Sequence, residues 1–553
     1  MRLFDRSSSP LLLSSPSTLK RFEAPLFVLL LLLAAWLRFE HLATLPGGFH
    51  GDEAVAGLEG ERILREGSIG PYSPFALGQP AGPLYLTALS IRLFGPTIWA
   101  VRAPSALLGT LTVALLYFLL RRTQGRRVAL LGAALLATLH WHIFFSRIGF
   151  PVVAWPLCAL AATFAALEAA RRQGVRWWIL TGLLAGVGLY SYNAHILFVL
   201  ALGTWLVFHL ARQREVALRR RASWLLCFGA ALALAAIPMA RYALNPANDY
   251  FAHSRLIYVW NVADSGWPQN ANISVKIAFL GARVTEFWDN LSWHSRMDLS
   301  DGTGVVPAVP LGILALAALG LVLSPRRGTL MAISLCCLLL LPFGPAITGA
   351  APIRRAFALA PFLCFLAAVG LVEAWKRAGG PHAGARGRRI AATGVLAIGC
   401  ALLTAQNLVS YFGSFARSPH RAWVFVQDYT DMCAFLETLP PRSHVLFLSD
   451  RWSGNYEPRQ FLAPGVLLED RSSQFGSFSL AANRSMNRPT FVLMGTYRTR
   501  VWDLKRIYPH CRVEFGPPSA ETGQTTFIAV SPDPQTDLRP EPPGAVFPMP
   551  PRF

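Results

Sequence analysis

Charge is scarce in this chain, and negative charge is scarcer still. Only 15% of the 553 residues are charged, and 30 Asp and Glu stand against 51 Lys and Arg. With 53% hydrophobic residues and a mean hydropathy of +0.39, that shortage excludes a water-soluble globule of this length. Cysteine is also sparse. Of the eight, Cys158, Cys227, Cys336, Cys337, Cys364 and Cys400 fall inside apolar runs, where a free thiol behaves as a small hydrophobe. Cys433 and Cys511 lie outside those runs, and an outward-facing location permits a disulfide that their positions leave open. No fixed period repeats along the chain, so nothing favours a transporter made of repeated halves. The centres of the apolar runs are nearly free of ionisable groups, which a transporter would place there.

What the chain does have is long hydrophobic runs. A hydrocarbon core of about 30 Å needs roughly 20 apolar residues per helix. Eleven runs meet or nearly meet that demand, at 24–45, 98–120, 128–147, 152–170, 176–192, 194–211, 223–241, 306–323, 329–348, 356–375 and 390–411. A twelfth, GPLYLTALSIRLFG at 82–95, is short and carries Arg92, which suits a span, a re-entrant piece or an interfacial helix. The fold class expected is a polytopic α-helical membrane protein of about 11–13 spans. Basic residues crowd alternate gaps: RRTQGRR at 121–127, RRQGVR at 171–176, RQREVALRRR at 212–221, PRRG at 325–328 and KRAGGPHAGARGRR at 376–389. That alternation, rather than nucleic-acid binding, accounts for the net charge of +21. It places these gaps and the N-terminus in the cytoplasm, and the first outer loop, the 242–305 loop and everything after 412 outside a plasma (inner) membrane. The basic N-terminal residues precede a run with no small-residue cleavage site after it, which reads as a retained anchor.

After the last run the composition turns mixed. HVLFLSD (444–450), TFVLMG (490–495) and TFIAVS (526–531) read as strands, and WVFVQDYTDMCAFLETL (423–439) reads as a helix, so a small extracytoplasmic α/β domain is expected. The domain boundaries that follow are a cytoplasmic 1–23, a transmembrane domain at 24–411 with outer loops 46–97 and 242–305, the α/β domain at 412–531, and a Pro-rich tail at 532–553.

Charged groups close to a membrane are costly and mark function, so the outer-face ionisable residues are the candidates. The first outer loop, GGFHGDEAVAGLEGERILREG, carries Asp52 and Glu53 side by side. HWHIFFSRIGF (140–150) carries Arg147, and LYSYNAH (189–195) carries Tyr190, Tyr192 and His195. TGAAPIRRAFALAP (348–361) carries Arg354 and Arg355 against the positive-inside pattern, and a guanidinium fork matches phosphate oxygens. Each has a plainer reading. Asp52 and Glu53 suit the acidic first turn of a helix, Arg147 suits a snorkelling helix end, and the tyrosines suit an aromatic belt. His140 and His142 have a spacing that puts them on different helix faces, which argues for a structural role over a metal pair. Together, a base, a phosphate clamp and lipid access point to group transfer from a lipid phosphate.

At this point the residues resemble a family. The order GGFHGDEA, GQPAGPLYL, LFG, AVRAPSALLG is similar to the start of the polyprenol-phosphate-dependent membrane glycosyltransferases of the C-type fold, which include protein O-mannosyltransferases and the bacterial aminoarabinose transferase of lipid A. The resemblance covers roughly residues 20–375. It implies that Asp52 is the catalytic base with Glu53 beside it, that FSRIGF brings Arg147 to the site, and that APIRRAFALAP is the late arginine segment. QPAGPLYL departs from a Pro-Pro-Leu-Tyr pattern, and GFPVVAW lacks the acid that many relatives carry after the arginine, which puts a two-carboxylate metal site in doubt. The implied reaction is inverting transfer of a sugar from a polyprenyl-phosphate donor to a hydroxyl of a protein, lipid or glycan. Arg354, Arg355 and Arg147 would take the departing phosphate, and Tyr85, Tyr190, Tyr192 and His195 would line the sugar pocket. No metal ligand set is assigned, and a divalent ion is an open cofactor. A lipid-linked-sugar flippase would share the arginines but would not need Asp52 as a base.

Overall fold

Every one of the eleven apolar runs is helical in the computed structural model, which describes residues 16–75, 78–292, 307–324, 328–349, 352–378, 385–473 and 489–533. Among them, eight helices are long and apolar enough to cross a membrane: Arg21–Phe39, Ile98–Thr123, Pro151–Arg172, His195–Arg212, Leu218–Leu244, Thr329–Ala346, Leu359–Ala378 and Ile390–Phe415. Two of the expected spans, Val175–Tyr190 and Leu311–Leu323, form shorter apolar helices. Thirteen helical residues rise only about 20 Å, so Leu311–Leu323 falls short of a full crossing. The same holds for Gly82–Phe94, also 13 residues, whose Leu86, Leu89 and Leu93 are exposed while Ala88 and Ile91 are buried, an interfacial pattern. The Pro-rich tail expected at 532–553 lies outside the described residues from 534 onward.

The run read as one span over 128–147 is broken. Arg126–Thr138 and His140–Ser146 meet at a 60° bend, with Leu139 in extended geometry between them. A bend inside a membrane is tolerated only where the freed backbone groups find partners. Here the His140 amide donates to Asn407 Oδ1 at 2.9 Å, and the Arg38 guanidinium donates to Ala137 O at 3.1 Å and Leu136 O at 3.4 Å. The partners come from the first and last spans, more than a hundred residues away in the Asn407 case, and no local pattern announces them.

The chain divides into two compact units: Met1–Glu40, Gly70–Pro83 and Ala103–Phe415 form the first, and His41–Ile69, Leu84–Arg102 and Ala416–Phe553 the second. The first unit holds the long apolar helices and a two-stranded hairpin, β1 (Tyr72–Ser73) with β2 (Gln79–Pro80). Close helix crossings in it rest on small residues. Gly320 and Gly370 face one another's helices so tightly that a Cβ on either would sit 2.1 Å from a carbonyl oxygen, of Leu366 and Leu316 respectively.

The second unit contains a five-stranded sheet of order β4-β3-β5-β7-β6, with β3 at His444–Leu448, β4 at Leu467–Asp470, β5 at Thr490–Met494, β6 at Arg512–Phe515 and β7 at Phe527–Ser531. β3 pairs in parallel with β4 and β5, while β7 runs antiparallel to β5 and β6. The three expected strands are the buried centre, and the two unexpected ones are its half-exposed edges. Both faces of the centre are covered, which is why β5 is buried at every position and apolar from Phe491 to Met494 rather than alternating. Tyr429, Met432, Cys433 and Leu436 of the Gln427–Glu437 helix pack on Val445, Phe447, Val492 and Met494. Val501, Leu504 and Tyr508 pack on Leu446, Leu448, Phe491 and Leu493 on the other side. Cys433 and Cys511 therefore belong to opposite faces of the sheet and are free thiols, so the disulfide left open by the sequence does not form.

Candidate functional site

The segment after the first span, expected as the first outer loop, forms the helix Gly51–Glu66, and its first turn separates the two carboxylates completely. Residues at N2 and N3 of a helix point about 100° apart. Glu53 turns inward, 0% exposed, and forms a two-pronged ion pair with Arg102, itself 0% exposed: Nε to Oε1 at 2.7 Å and Nη2 to Oε2 at 2.9 Å. Glu53 also accepts the His50 amide at 3.2 Å, while His50 Nδ1 accepts the Asp52 amide at 3.1 Å, a reciprocal cap that satisfies the orphan donors of the helix start. Arg102 uses its remaining donors on backbone carbonyls of the same loop, Leu42, Pro46 and Gly48, at 2.7–3.1 Å. Burying two charges is tolerated only with this degree of saturation. Asp52 turns outward instead, and its side chain is 58% exposed, with Oδ2 4.0 Å from His50 Nδ1.

The C-terminal part of the second unit holds this turn from its other side. Thr430 Oγ1 accepts the Phe49 amide at 2.9 Å, and the Tyr456 hydroxyl takes a backbone hydrogen bond from Gly51. Gly51 permits that approach, since a Cβ there would stand 2.7 Å from the Tyr456 hydroxyl. Burial, followed by the charges of Glu457 and Asp52, pushes the Tyr456 phenol up to about 12, so it stays protonated. Tyr456 is fixed by a stack. Its ring lies parallel to Trp452 at 5.3 Å, the Arg451 guanidinium sits 4.0 Å from Trp452 and 4.5 Å from Trp423, and Asp428 Oδ2 accepts Trp452 Nε1 at 3.1 Å. Tyr85, read as sugar-lining, is in this unit, with its hydroxyl bonded to Ser68 Oγ at 2.8 Å and the Ile69 amide at 3.1 Å, so it ties the exit of the helix to the next one.

The remaining candidates are in the first unit. Arg147 is 0% exposed, and its guanidinium donates to Leu37 O at 2.7 Å and to Glu40 O, the last carbonyls of the first span. That is a helix C-terminal cap supplied from a distant segment. Beside it, the buried Arg38 bonds His142 Nδ1 at 2.8 Å, which gives the second histidine of HWH a structural partner. His195 is also fully buried, with Nε2 3.1 Å from Ala185 O. The Tyr190 hydroxyl donates to Ala235 O at 2.7 Å, and Tyr192 stacks on Trp155 at 5.6 Å. Arg354 and Arg355 differ: both are half-buried on a one-turn 3-10 helix, Ile353–Ala356. The turn is anchored by Phe357, whose ring meets Phe145 at 4.8 Å, Trp141 at 5.1 Å and His142 at 5.6 Å. The loop leading into it is clamped by Arg283, which donates to Ala346 O, Thr348 O and Gly349 O at 2.6–3.1 Å.

Arg102, Arg38, Arg283 and Tyr456 were not singled out in the sequence. Arg38 and Arg102 did leave a signal, as cations inside or at the edge of apolar runs, where an unpaired charge is too costly to keep. Tyr456 left none. Among the described residues, no group of three or more His, Cys, Asp or Glu side chains is placed to hold a metal ion.

With the geometry in place, three comparisons locate the chain among known proteins. Residues 78–240 match the family described as dolichyl-phosphate-mannose-protein mannosyltransferase. The undecaprenyl phosphate-alpha-4-amino-4-deoxy-L-arabinose arabinosyl transferase of Erwinia tasmaniensis is 33% identical over 179 residues, a stretch covering 31% of this chain and 31% of that protein. The crystal structure of ArnT from Cupriavidus metallidurans bound to undecaprenyl phosphate superimposes with a TM-score of 0.51 at 13% identity, covering 94% of this chain and 100% of that one. Its apo state gives 0.50, with 94% and 99% covered. The resemblance to the polyprenol-phosphate-dependent membrane glycosyltransferases holds, and the chain has the multi-pass fold of ArnT.

Proposed function

We propose that this protein is an inverting glycosyltransferase that moves a sugar from a polyprenyl-phosphate donor to an acceptor hydroxyl on the extracytoplasmic face of the plasma membrane. The observation that carries the reading is the division of labour between the adjacent carboxylates. Glu53 is fully buried and locked to Arg102, out of a substrate's reach, whereas Asp52 presents an exposed carboxylate at a rigid helix start. In the reaction Asp52 takes the proton of the acceptor hydroxyl as that oxygen attacks the anomeric carbon, and the bond to the lipid phosphate breaks on the opposite side. A base in this role must reach hydrogen-bond distance of the hydroxyl, which an exposed side chain can do and a buried one cannot. The negative charge that builds on the departing polyprenyl phosphate falls to Arg354 and Arg355, whose half-buried forks suit phosphate oxygens. Arg147 enters as a positioning residue, since its donors hold the end of the first span.

The direct test supplies purified protein in lipid with a labelled polyprenyl-phosphate sugar and follows the label off the lipid, with Asp52→Asn alongside. Transfer by the wild type and its loss in Asp52→Asn support the reading. A flippase would move the lipid in both and transfer nothing. Tags at about 124 and 217 should report the cytoplasm and one at about 270 the outside, as the arginine distribution requires. A tag at 270 reporting the cytoplasm would put the arginine turn on the wrong face.

A further inference from the structure

At the arginine-rich end of the first unit, a cavity of about 290 Å³ opens between the helices Pro16–Phe39, Arg126–Thr138, Leu359–Ala378 and Ala385–Leu408. Its volume is at the low end of small-molecule pockets, roughly 300–1,000 Å³. Leu26, Leu130, Leu371, Leu396, Ala397 and Cys400 make its walls almost wholly apolar. Polar groups gather at one end only. There the Arg127 guanidinium lies 4.3 Å from the Trp375 ring, and Trp375 Nε1 donates to Thr393 Oγ1 at 2.9 Å. The helix that closes the cavity exposes Val395, Ile398 and Leu402 along this part of its length, and its buried residues, Asn407 among them, come later.

The charge at this end is positive. Glu23 serves both Arg121 and Arg126, Glu168 serves both Arg122 and Arg172, and Glu373 pairs with Lys376. Counted with Arg127 and the exposed Arg388, the described basic residues at these helix ends outnumber the acids. A tryptophan and an arginine at the head of an apolar slot match the interface of a lipid, with the ring at the glycerol level and the cation at the phosphate. A peptide does not suit the slot, because its backbone N–H and C=O groups would find no partners on these walls.

We propose that this cavity is a binding site for one acyl chain of an anionic phospholipid in the leaflet at the arginine-rich end, the headgroup phosphate resting at Arg127. On the positive-inside reading that is the cytoplasmic leaflet, opposite the face of the transfer reaction. The site stands on its walls and its charge and does not depend on the transferase reading. It gives the exposed first half of the last span a lipid neighbour beside its protein contacts.

The full-length protein is placed in phosphatidylcholine nanodiscs doped with phosphatidylglycerol bearing a photoreactive acyl chain, or with phosphatidylcholine bearing the same chain. Crosslinks are expected on peptides from 126–138, 359–378 and 390–400, roughly fivefold stronger for the anionic probe. Arg127→Gln should bring the two probes level, and Ala397→Trp, which fills the slot, should abolish labelling of these peptides by both. Equal labelling by the two probes in the wild type, or unchanged labelling in Ala397→Trp, would overturn the assignment. If Ala397→Trp does not insert, the loss of headgroup preference in Arg127→Gln decides the question.

Discussion

The two units handle their charges differently, and the contrast sorts the candidate residues. In the second unit a buried arginine, Arg102, is met by a buried carboxylate, and both are completed by backbone groups of one loop. In the first unit, Arg38 and Arg147 are equally buried but work on backbone carbonyls left over at the end of the first span and at the break in the third run. Both solutions commit a guanidinium to fixed partners, so both make architecture. Among the candidate residues, Asp52 in one unit is exposed, and Arg354 and Arg355 in the other are half-buried. A charge that the fold has already neutralised has little left to offer a transition state, so accessibility separates the residues that could do chemistry from those that hold them in place.

The largest test of that division is Asp52→Asn. It keeps the shape and removes the basic lone pair, and transfer should fall by about 10²–10⁴-fold while donor binding, measured by lipid retention, is unchanged. Near-normal transfer would end the case for Asp52 as the base. The paired residues should fail in another way. Glu53→Gln or Arg102→Met alone leaves a buried partner uncompensated and should cost about 3–5 kcal/mol, read as low yield and a lowered midpoint of thermal unfolding. The double replacement Glu53→Leu with Arg102→Met should recover much of that loss. If Glu53→Gln is instead stable but inactive, Glu53 is chemical and the contrast collapses.

Arg354→Ala and Arg355→Ala should each weaken donor use by an amount between the structural and negligible cases, about 1.5–3 kcal/mol in kcat/KM for whichever faces the lipid phosphate, with Lys restoring part. Arg147→Lys should differ from both by lowering stability before it lowers donor affinity, because its donors cap a helix rather than face a ligand. The smallest effect expected is that of Tyr456→Phe. It removes the hydroxyl acceptor of the Gly51 amide, worth about 0.5–1.5 kcal/mol, and should lower kcat a few-fold with donor KM unchanged. A Tyr456→Phe variant indistinguishable from wild type would mean that the Asp52 turn is held by Thr430 and the His50 cap alone.

How much of this was legible follows from how local each signal is. Apolar composition over about 20 residues dictates a membrane helix wherever it sits, so all eleven runs are helical, although their lengths divide into full spans and shorter pieces. The Gly51–Glu66 helix start is equally local, since His50, Asp52 and Glu53 cap it among themselves. β3, β5 and β7 were legible because both faces of the central strands are covered, whereas β4 and β6, short and half-exposed at the edges, carry no distinct pattern.

By itself, the sequence determined a multi-pass membrane protein with an acidic helix start after its first span and a small α/β domain, because composition and capping act over a few residues. Only the tertiary structure decided which of two neighbouring carboxylates is accessible. Glu53 is taken out of play by an arginine 49 positions away, Arg147 by carbonyls 107 and 110 positions away, and the Asp52 turn is braced by Thr430 and Tyr456 about 400 residues downstream. Partners that distant meet only when the chain has folded, and a buried charge is settled by whichever partner reaches it there.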